Sequence, residues 1–373
     1  MAERRDATRV VRAGLPAAQD GRPFLPGPAL AAPFHLRGEV DGGAYGYTRH
    51  GNPTWTGYEE AIGELEGGEA VLFASGMAAV HAALGTSLAS GDVLVAPRDC
   101  YPGVRGLAAG TLARAGVETR LVAGEQAMRE ALPGASLLWI ESPSNPGLDV
   151  LDVPALCEAA REAGAAVVVD NTLATPLGQR PLALGADFSV SSATKHLTGH
   201  SDVILGYAAT RDPERAEALR GWRTHTGAIA GPLETWLAHR SLATLDVRLR
   251  RQCANAQGVA ELLAARGDLA GLRYPGLESD PAHALAARQM DHFGSVIGFV
   301  LEDAGRARRF LDAAELVIES TSFGGVHTSA ERRARWGTDD VPEGFIRLSL
   351  GIEDLDDLRA DIEHALDVPA SGS

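Results

Sequence analysis

The chain has 373 residues, of which 45% are hydrophobic, so it is long enough for one large domain or two medium-sized domains. Its formal net charge of −15 disfavours a nucleic-acid partner or an anionic-membrane partner. The sequence has no apolar run long enough to span a membrane, no apolar signal-peptide core after Met1, and only three widely spaced cysteines. We therefore expect a cytoplasmic protein with reduced thiols.

The first part of the chain, residues 1–45, is rich in glycine, proline and alanine and shows little periodicity. This composition predicts an N-terminal arm that packs on another surface instead of forming its own core. The segment from Tyr47 to Thr54 (Tyr-Thr-Arg-His-Gly-Asn-Pro-Thr) follows, and Gly-Asn-Pro is typical of a turn. Arg49 offers a bidentate fork and Tyr47 a hydroxyl, which both suit a phosphate. The alternative is a surface turn with an incidental arginine.

A predicted helix, a strand and a second helix come next. Tyr58 to Leu65 has helical spacing, residues 70–73 indicate a short buried strand, and a helical pattern then continues to about Leu88. The turn Ser75-Gly76-Met77 lies between the strand and the second helix. Because backbone N–H groups at a helix N-terminus bind anions, this turn is a candidate phosphate site. A tight turn without a ligand is the alternative.

Short apolar strands then alternate with helical stretches. The strands are predicted at residues 93–95, 136–140, 166–169 and 188–190. Nearly continuous apolar strands of this kind predict an α/β domain with a mostly parallel sheet between helices. Ligands bind at the carboxyl ends of such strands. The polar residues that follow these ends include Tyr101, Asn145, Asp170 and Lys195.

Two of these residues predict a cofactor. A carboxylate such as Asp170, directly after an apolar strand, is costly unless it meets a cation, although it can instead cap the following turn. Lys195 stands among hydroxyl residues, and a buried lysine with a lowered pKa is the residue type that forms Schiff bases. Ser192 and Thr194 add hydroxyl donors for a phosphate. Together these residues predict a site for pyridoxal phosphate (PLP).

Two other kinds of site are disfavoured by the same region. His196 and His200 have neither the HExxH pattern nor a third ligand, so no metal site is predicted. No GxGxxG or P-loop follows the strands, which argues against a nucleotide-binding protein.

The C-terminal part predicts a smaller α+β domain. Strands are indicated at residues 296–301 and 345–350, and helices at residues 247–264, 283–290, 304–314 and 355–366. Arg347 lies between two apolar residues of the last strand and needs an anionic partner, either a ligand or a structural salt bridge. We place the large domain at residues 46–237 and the small domain at residues 238–373.

Several motifs resemble those of the Cys/Met-metabolism PLP enzymes, the family of cystathionine γ-synthase, cystathionine γ- and β-lyases and methionine γ-lyase. The resemblance lies in Ser-Ala-Thr-Lys ending at Lys195 with Gly-His-Ser-Asp after it, and in residues 47–54, 75–77, 321–328 and 345–354. It implies an aminotransferase-like fold of type I. It also implies a homo-oligomer, a tetramer built from dimers with shared active sites, and a small amino-acid substrate.

The resemblance further implies a role for each candidate residue. Lys195 would form the Schiff base, Tyr101 would stack on the PLP ring and act as acid or base, and Asp170 would pair with the ring nitrogen. The implied phosphate ligands are Ser75, Gly76, Met77, Ser192 and Thr194, with Tyr47 and Arg49 from the adjacent subunit. The implied substrate contacts are Asn145, Thr321, Ser322 and Arg347.

The implied reaction is elimination at Cγ of an amino acid, as in cystathionine γ-lyase. The open alternatives are γ-replacement, β-elimination, γ-elimination of an O-acyl or halide group, and PLP binding without turnover. Methionine γ-lyase activity is disfavoured, because Gly103 stands where that enzyme has a cysteine. Relatives that use cystathionine commonly carry a glutamate where Thr321 stands, so cystathionine is predicted to be a mediocre substrate unless Glu319 takes that role. His327 replaces a second glutamate of the same loop and could recognise another group.

Overall fold

The computed structural model describes residues 4–37 and 45–369. These residues form two β-sheets, each packed against helices. In the described ranges, every helix is too short or too polar to cross a membrane.

The larger sheet has seven strands in the order β1-β7-β6-β5-β4-β2-β3. Strand β7 is antiparallel to both of its neighbours, and the other six strands run parallel to one another. The strands are β1 (Glu69–Phe73), β2 (Val93–Pro97), β3 (Glu118–Val122), β4 (Leu137–Glu141), β5 (Ala166–Asp170), β6 (Phe188–Ser191) and β7 (Gly206–Thr210). The predicted mostly parallel sheet is therefore confirmed.

Helices cover both faces of this sheet, which explains why its central strands are continuously apolar. In β4, Leu137 and Trp139 join one buried cluster, whereas Leu138 and Ile140 join the cluster on the opposite face. The helices are α1 (Asp6–Arg12), α2 (Pro53–Glu66), α3 (Gly76–Ser87), α4 (Pro102–Leu107), α5 (Gly124–Ala131), α6 (Val153–Glu162), α7 (Thr175–Gly178), α8 (Pro213–Thr226) and α9 (Pro232–Leu242). A π-helical turn, Ala108–Leu112, continues α4.

The smaller sheet has five strands in the order β10-β11-β12-β9-β8 and packs against three of the four helices in this part of the chain. Its strands are β8 (Ala270–Arg273), β9 (Val296–Val300), β10 (Ile318–Glu319), β11 (Ser329–Arg332) and β12 (Phe345–Ser349). The helices are α10 (Leu245–Ala264), α11 (His283–Gln289), α12 (Ala304–Ala313) and α13 (Leu355–Asp367), and a 3-10 turn, Arg333–Trp336, follows β11. The predicted α+β character of this part is confirmed.

Three details differ from the sequence-based expectation. Strand β3 was not predicted, because it is an edge strand whose residues are half-buried or exposed and therefore lack an apolar run. Part of the expected arm forms α1, which buries Val10 in the core of its own chain. The predicted boundary between residues 237 and 238 falls inside α9, which packs on α2. We propose that the domains divide after α9 instead, at residues 243–244.

Candidate active site

A cavity of about 520 Å³ lies where the carboxyl ends of β4, β5 and β6 face the small domain. Most of the predicted site residues line it: Ser75, Gly76, Met77, Tyr101, Asn145, Asp170, Ser192, Thr194, Lys195, Thr321, Ser322 and Arg347. The residues come together because the ends of neighbouring parallel strands meet at one edge of the sheet. Tyr47 and Arg49 are absent from the described lining of this cavity.

Lys195 follows the end of β6, and its ammonium group donates a 2.6 Å hydrogen bond to Ser322 Oγ. Burial lowers the pKa of Lys195 to about 8, and the nearby Arg347 acts in the same direction, whereas Glu331 and Asp170 oppose the shift. With this pKa about a tenth of the Lys195 amine is unprotonated at pH 7, far more than for an ordinary lysine, which makes Lys195 a competent nucleophile.

Two carboxyl groups stand at the ends of neighbouring strands, Glu141 on β4 and Asp170 on β5. Burial raises the pKa of Asp170, against hydrogen bonds from Thr172 and the charge of Lys195. Burial, followed by the charge of Asp170, also raises the pKa of Glu141. A cation placed against Asp170 would relieve this cost, and a protonated pyridine nitrogen is such a cation.

The turn before α3, which the sequence predicts as a phosphate site, lies at the cavity. Ser75 caps α3 by accepting a 3.1 Å hydrogen bond from the Ala78 N–H, and the backbone of the first turn faces the cavity. A Cβ on Gly76 would lie only 2.7 Å from the Cβ of Ser192, so only glycine allows this approach. The Thr194 hydroxyl donates to the Leu205 carbonyl and accepts from the Leu205 N–H. The Ser192 hydroxyl has no hydrogen-bond partner among the described residues.

Tyr101 begins α4, and its ring lines the cavity with 43% of the residue exposed. The Tyr101 N–H donates a 2.7 Å hydrogen bond to one oxygen of Glu141, and the Asn145 N–H donates a 2.9 Å bond to the other. A Cβ at Gly103 would lie 2.8 Å from the Tyr101 ring and 2.6 Å from Met77 Sδ. A larger residue at position 103 would therefore displace Tyr101 or Met77.

Arg347 on β12 reaches the cavity from the small domain and is almost fully buried. Its guanidinium donates 2.7 Å hydrogen bonds to Asn145 Oδ1 and to the Ser322 carbonyl, and it pairs with Glu331. Burial lowers the pKa of Arg347 to about 10. Of the two anionic partners that the sequence left as alternatives, the structure shows the salt bridge, and the same arginine lines the cavity where a ligand could reach it.

Ser322 joins Lys195 to Arg347, since its hydroxyl accepts from the lysine and its carbonyl from the arginine. Its φ of +79° is in the left-handed region, where a residue with a Cβ carries a cost of about 1–3 kcal/mol. The tertiary contacts hold this conformation in place.

The loop before Ser322 places Thr321 and Glu319, the two candidates for contact with the substrate, in different surroundings. Thr321 lines the cavity, whereas Glu319 lies on β10 and forms a 2.5 Å ion pair with Arg335. His327 is exposed and is not part of the described cavity lining.

Tyr47 and Arg49 lie on the surface of the chain, away from its own cavity. Tyr47 is 46% exposed, and the Arg49 guanidinium stacks 5.5 Å above its ring. Arg49 also donates a 3.3 Å hydrogen bond to the Thr224 carbonyl. This placement leaves both side chains accessible to another subunit.

The histidines near Lys195 have structural contacts. His196 is buried and lies 2.8 Å from Ser295 Oγ through Nε2, and His200 Nδ1 lies 2.5 Å from the Thr198 carbonyl. Across residues 4–37 and 45–369, no cluster of three or more histidine, cysteine or acidic side chains is positioned to hold a metal ion.

Three side chains at the site were not predicted from the sequence: Glu331, Arg333 and Trp336. Arg333 and Trp336 line the cavity, and Glu331 is fully buried beside Arg347. In the sequence Glu331 and Arg333 belong to the charged stretch Glu-Arg-Arg-Ala-Arg, which is typical of a solvated surface, and Trp336 follows it directly. The sequence carries a further signal for Lys195, since it is the only lysine in the chain.

The fold and this site together define a PLP-dependent enzyme of the aminotransferase-like class, and comparisons with known proteins agree. The chain matches the Cys/Met metabolism PLP-dependent enzyme family over residues 30–367. It is therefore a member of that family.

Individual relatives include both lyases and synthases. A Streptomyces coelicolor protein named "Putative cystathionine gamma-lyase" is 57% identical over 97% of this chain and 93% of its own length. Cystathionine gamma-synthase of Escherichia coli is 38% identical over 97% of both chains. The crystal structure of cystathionine gamma synthase from Xanthomonas oryzae pv. oryzae in complex with aminoacrylate and cysteine superimposes with a TM-score of 0.93, at 35% identity over 98% of both chains.

The residues present fit PLP. Asp170 is a carboxyl group in need of a cation, Ser192 has a free hydroxyl, and Gly76 leaves room beside the start of α3 for a phosphate. Lys195 supplies the amine.

The lowered pKa of Lys195 predicts how the protein stripped of PLP takes the cofactor up again. Because only the free amine is nucleophilic, the uptake rate should rise about tenfold per pH unit below a pH of about 8 and level off above it. Stopped-flow absorbance measures this rate. Pyridoxamine phosphate needs no free lysine amine and serves as the control, with a flat profile expected. A flat profile for PLP itself would contradict the prediction.

Proposed function

We propose that this enzyme catalyses γ-elimination on a γ-substituted L-amino acid, as a cystathionine γ-lyase does. The observation that carries the proposal is the convergence of Lys195 and Arg347 on Ser322, at 2.6 Å and 2.7 Å. A substrate whose α-carboxylate is bound by Arg347 would present its Cα and Cβ protons to Lys195. The 57% identical relative with a lyase name supports elimination.

Each side chain has a task in this proposal. Arg347, assisted by Asn145, holds and orients the α-carboxylate through charge-assisted hydrogen bonds. Lys195, whose amine is freed by burial, moves protons at Cα and Cβ. Bound PLP supplies an electron sink, and Asp170 keeps its ring nitrogen protonated. Tyr101, at the mouth of the cavity, donates a proton to the departing γ substituent.

γ-Replacement is the second candidate, since the Escherichia coli synthase is also similar over nearly the whole chain. The two reactions are distinguished by incubating the enzyme with an O-acyl homoserine, with and without cysteine. We expect a 2-oxo acid and ammonia in both incubations. Formation of cystathionine only when cysteine is present, without 2-oxo acid, would instead assign the synthase reaction.

We also propose that the active enzyme is a homo-oligomer in which each cavity is completed by Tyr47 and Arg49 of a neighbouring subunit. Tyr47 is exposed, Arg49 is half-buried, and neither belongs to the described lining of the cavity of its own chain, which supports this arrangement. A tetramer built from dimers is the assembly that the family resemblance implies.

The position of Thr321 predicts the choice of substrate. No charge at this position can pair with the distal ammonium of cystathionine, and one charged hydrogen bond is worth about 1.5–3 kcal/mol, or roughly 10–100-fold. Wild type should therefore prefer a compact uncharged γ substituent, and Thr321→Glu should raise kcat/KM for cystathionine relative to an O-acyl homoserine by about tenfold or more.

Glu319→Gln provides the matched control for this experiment, because Glu319 pairs with Arg335 outside the cavity. It should leave the ratio of the two kcat/KM values unchanged. A wild-type preference for cystathionine that disappears in Glu319→Gln would assign the selecting role to Glu319.

A further inference from the structure

Glu331 and Arg347 face each other directly across the β11–β12 pair of the small sheet. Both side chains are buried, and one Glu331 oxygen pairs with the Arg347 guanidinium. The same oxygen accepts a 2.8 Å hydrogen bond from Arg333 Nη1, and the other accepts a 3.0 Å bond from the Trp336 indole. A single buried carboxylate thus accepts hydrogen bonds from two arginines, and a third, Arg335, lies 3.8 Å from its other oxygen.

Arg333 is held on its other side by a second carboxylate. Its Nε donates a 2.9 Å hydrogen bond to Asp339, whose side chain is only 3% exposed. Asp339 in turn lies 3.7 Å from Arg105, on α4 of the large domain. Arg333 therefore stands between two buried acids and next to the cavity that it lines.

This arrangement matters for the charge that Arg347 offers to a ligand. A buried arginine needs a counterion. If one carboxylate pairs with that arginine and with no other cation, it competes with an incoming anion for the guanidinium. Glu331 holds Arg347 in place, while Arg333 takes part of the same negative charge. Sharing the Glu331 carboxylate with a second arginine lowers the negative charge that faces Arg347 at the cavity.

We propose that Arg333 is a positioning residue that shares the negative charge of Glu331 with Arg347 and so leaves more of the Arg347 charge available to the substrate α-carboxylate. The inference rests on the proposed role of Arg347, and it is independent of whether the reaction is elimination or replacement. It assigns to the charged stretch after β11 a part in substrate binding.

The test measures equilibrium binding of glycine to the PLP-loaded enzyme by the change in its visible spectrum. Glycine has an α-carboxylate and no side chain to eliminate, so its binding reports the carboxylate site alone. Arg333→Gln should weaken glycine binding by about tenfold or more. Binding of glycinamide, which lacks the carboxylate, should change little. Arg332→Gln is the matched control, since Arg332 pairs at 2.7 Å with the largely exposed Glu343, and it should bind glycine as wild type does.

Two double variants separate this role from a general loss of stability. Glu331→Gln with Arg333→Gln removes the competing carboxylate as well, so glycine binding should recover most of what Arg333→Gln loses. Arg333→Gln with Asp339→Asn removes one negative charge together with the arginine, yet leaves Glu331 to Arg347 and the more distant Arg335, so binding should stay weak. Thermal unfolding of each variant checks that the protein is folded.

Wild-type glycine affinity in Arg333→Gln, or equal affinities in the two double variants, would overturn the proposal. Failure of the proposed reaction would appear elsewhere, in the products formed from γ-substituted substrates. If glycine does not bind the wild type at all, or binds equally well to Arg347→Gln, the role of Arg347 is wrong and the inference falls with it.

Discussion

Lys195→Ala should lose both the visible absorption of bound PLP and turnover. No other lysine can take over its role in the variant, because Lys195 is the only lysine in the 373-residue chain. Loss of a proton-transferring group alone costs about 100–10,000-fold, and the loss of the covalent link to the cofactor adds to that. Steady-state kinetics and the visible spectrum measure the two effects.

The single lysine also makes the site of attachment directly measurable. Borohydride reduction of the wild-type enzyme should fix PLP on one peptide, the one that contains Lys195, and mass spectrometry locates it. Lys195→Ala treated in the same way should carry no label on any side chain. A labelled variant, or one that keeps its colour and activity, would end the assignment of Lys195.

Mixing two inactive variants, Arg49→Ala and Lys195→Ala, should restore activity. If each site combines Lys195 of one subunit with Arg49 of its neighbour, a mixed dimer contains one intact site. Random association makes half of the dimers mixed, so the mixture should regain roughly one quarter of wild-type activity. The placement of Arg49 outside its own cavity carries this expectation.

The matched control mixes Lys195→Ala with Asp170→Ala. Both residues line the cavity of one chain, so every site in a mixed dimer lacks one of them. This mixture should stay inactive. Subunits that are shown to exchange, for example by mass spectrometry of differently tagged chains, and still give no recovery with Arg49→Ala would contradict a shared site.

The sequence alone was sufficient to predict the mostly parallel sheet of the large domain and the cofactor. Strands β2, β4 and β5 are nearly continuous apolar runs because both of their faces are covered, and such runs are visible without a structure. Since the carboxyl ends of parallel strands meet at one edge, the order of the motifs predicted that Asp170 and Lys195 would share a cavity.

Elements at the margins of the fold gave no comparable signal. Strand β3 is an edge strand without an apolar run, and α1 is a short helix that buries only Val10. Local sequence predicts neither, because what stabilises them is contact with a surface built by distant parts of the chain.

Only the tertiary structure decided which charges of the small domain are buried. Residues 331–335 resemble a solvated surface stretch, yet the antiparallel register of β11 and β12 sets Glu331 opposite Arg347, and the turn after β11 brings Arg333 to the same carboxylate. The positions of Glu319 and Thr321 depend on the same kind of pairing, since the short pairing of β10 with β11 places Glu319 near Arg335 and leaves Thr321 at the cavity. Strand periodicity tells which residues share a face, but the partner across the sheet depends on long-range pairing. The sequence by itself therefore determined the fold and the cofactor and identified Lys195 as the candidate Schiff-base lysine, whereas the tertiary structure decided which charged groups surround Arg347.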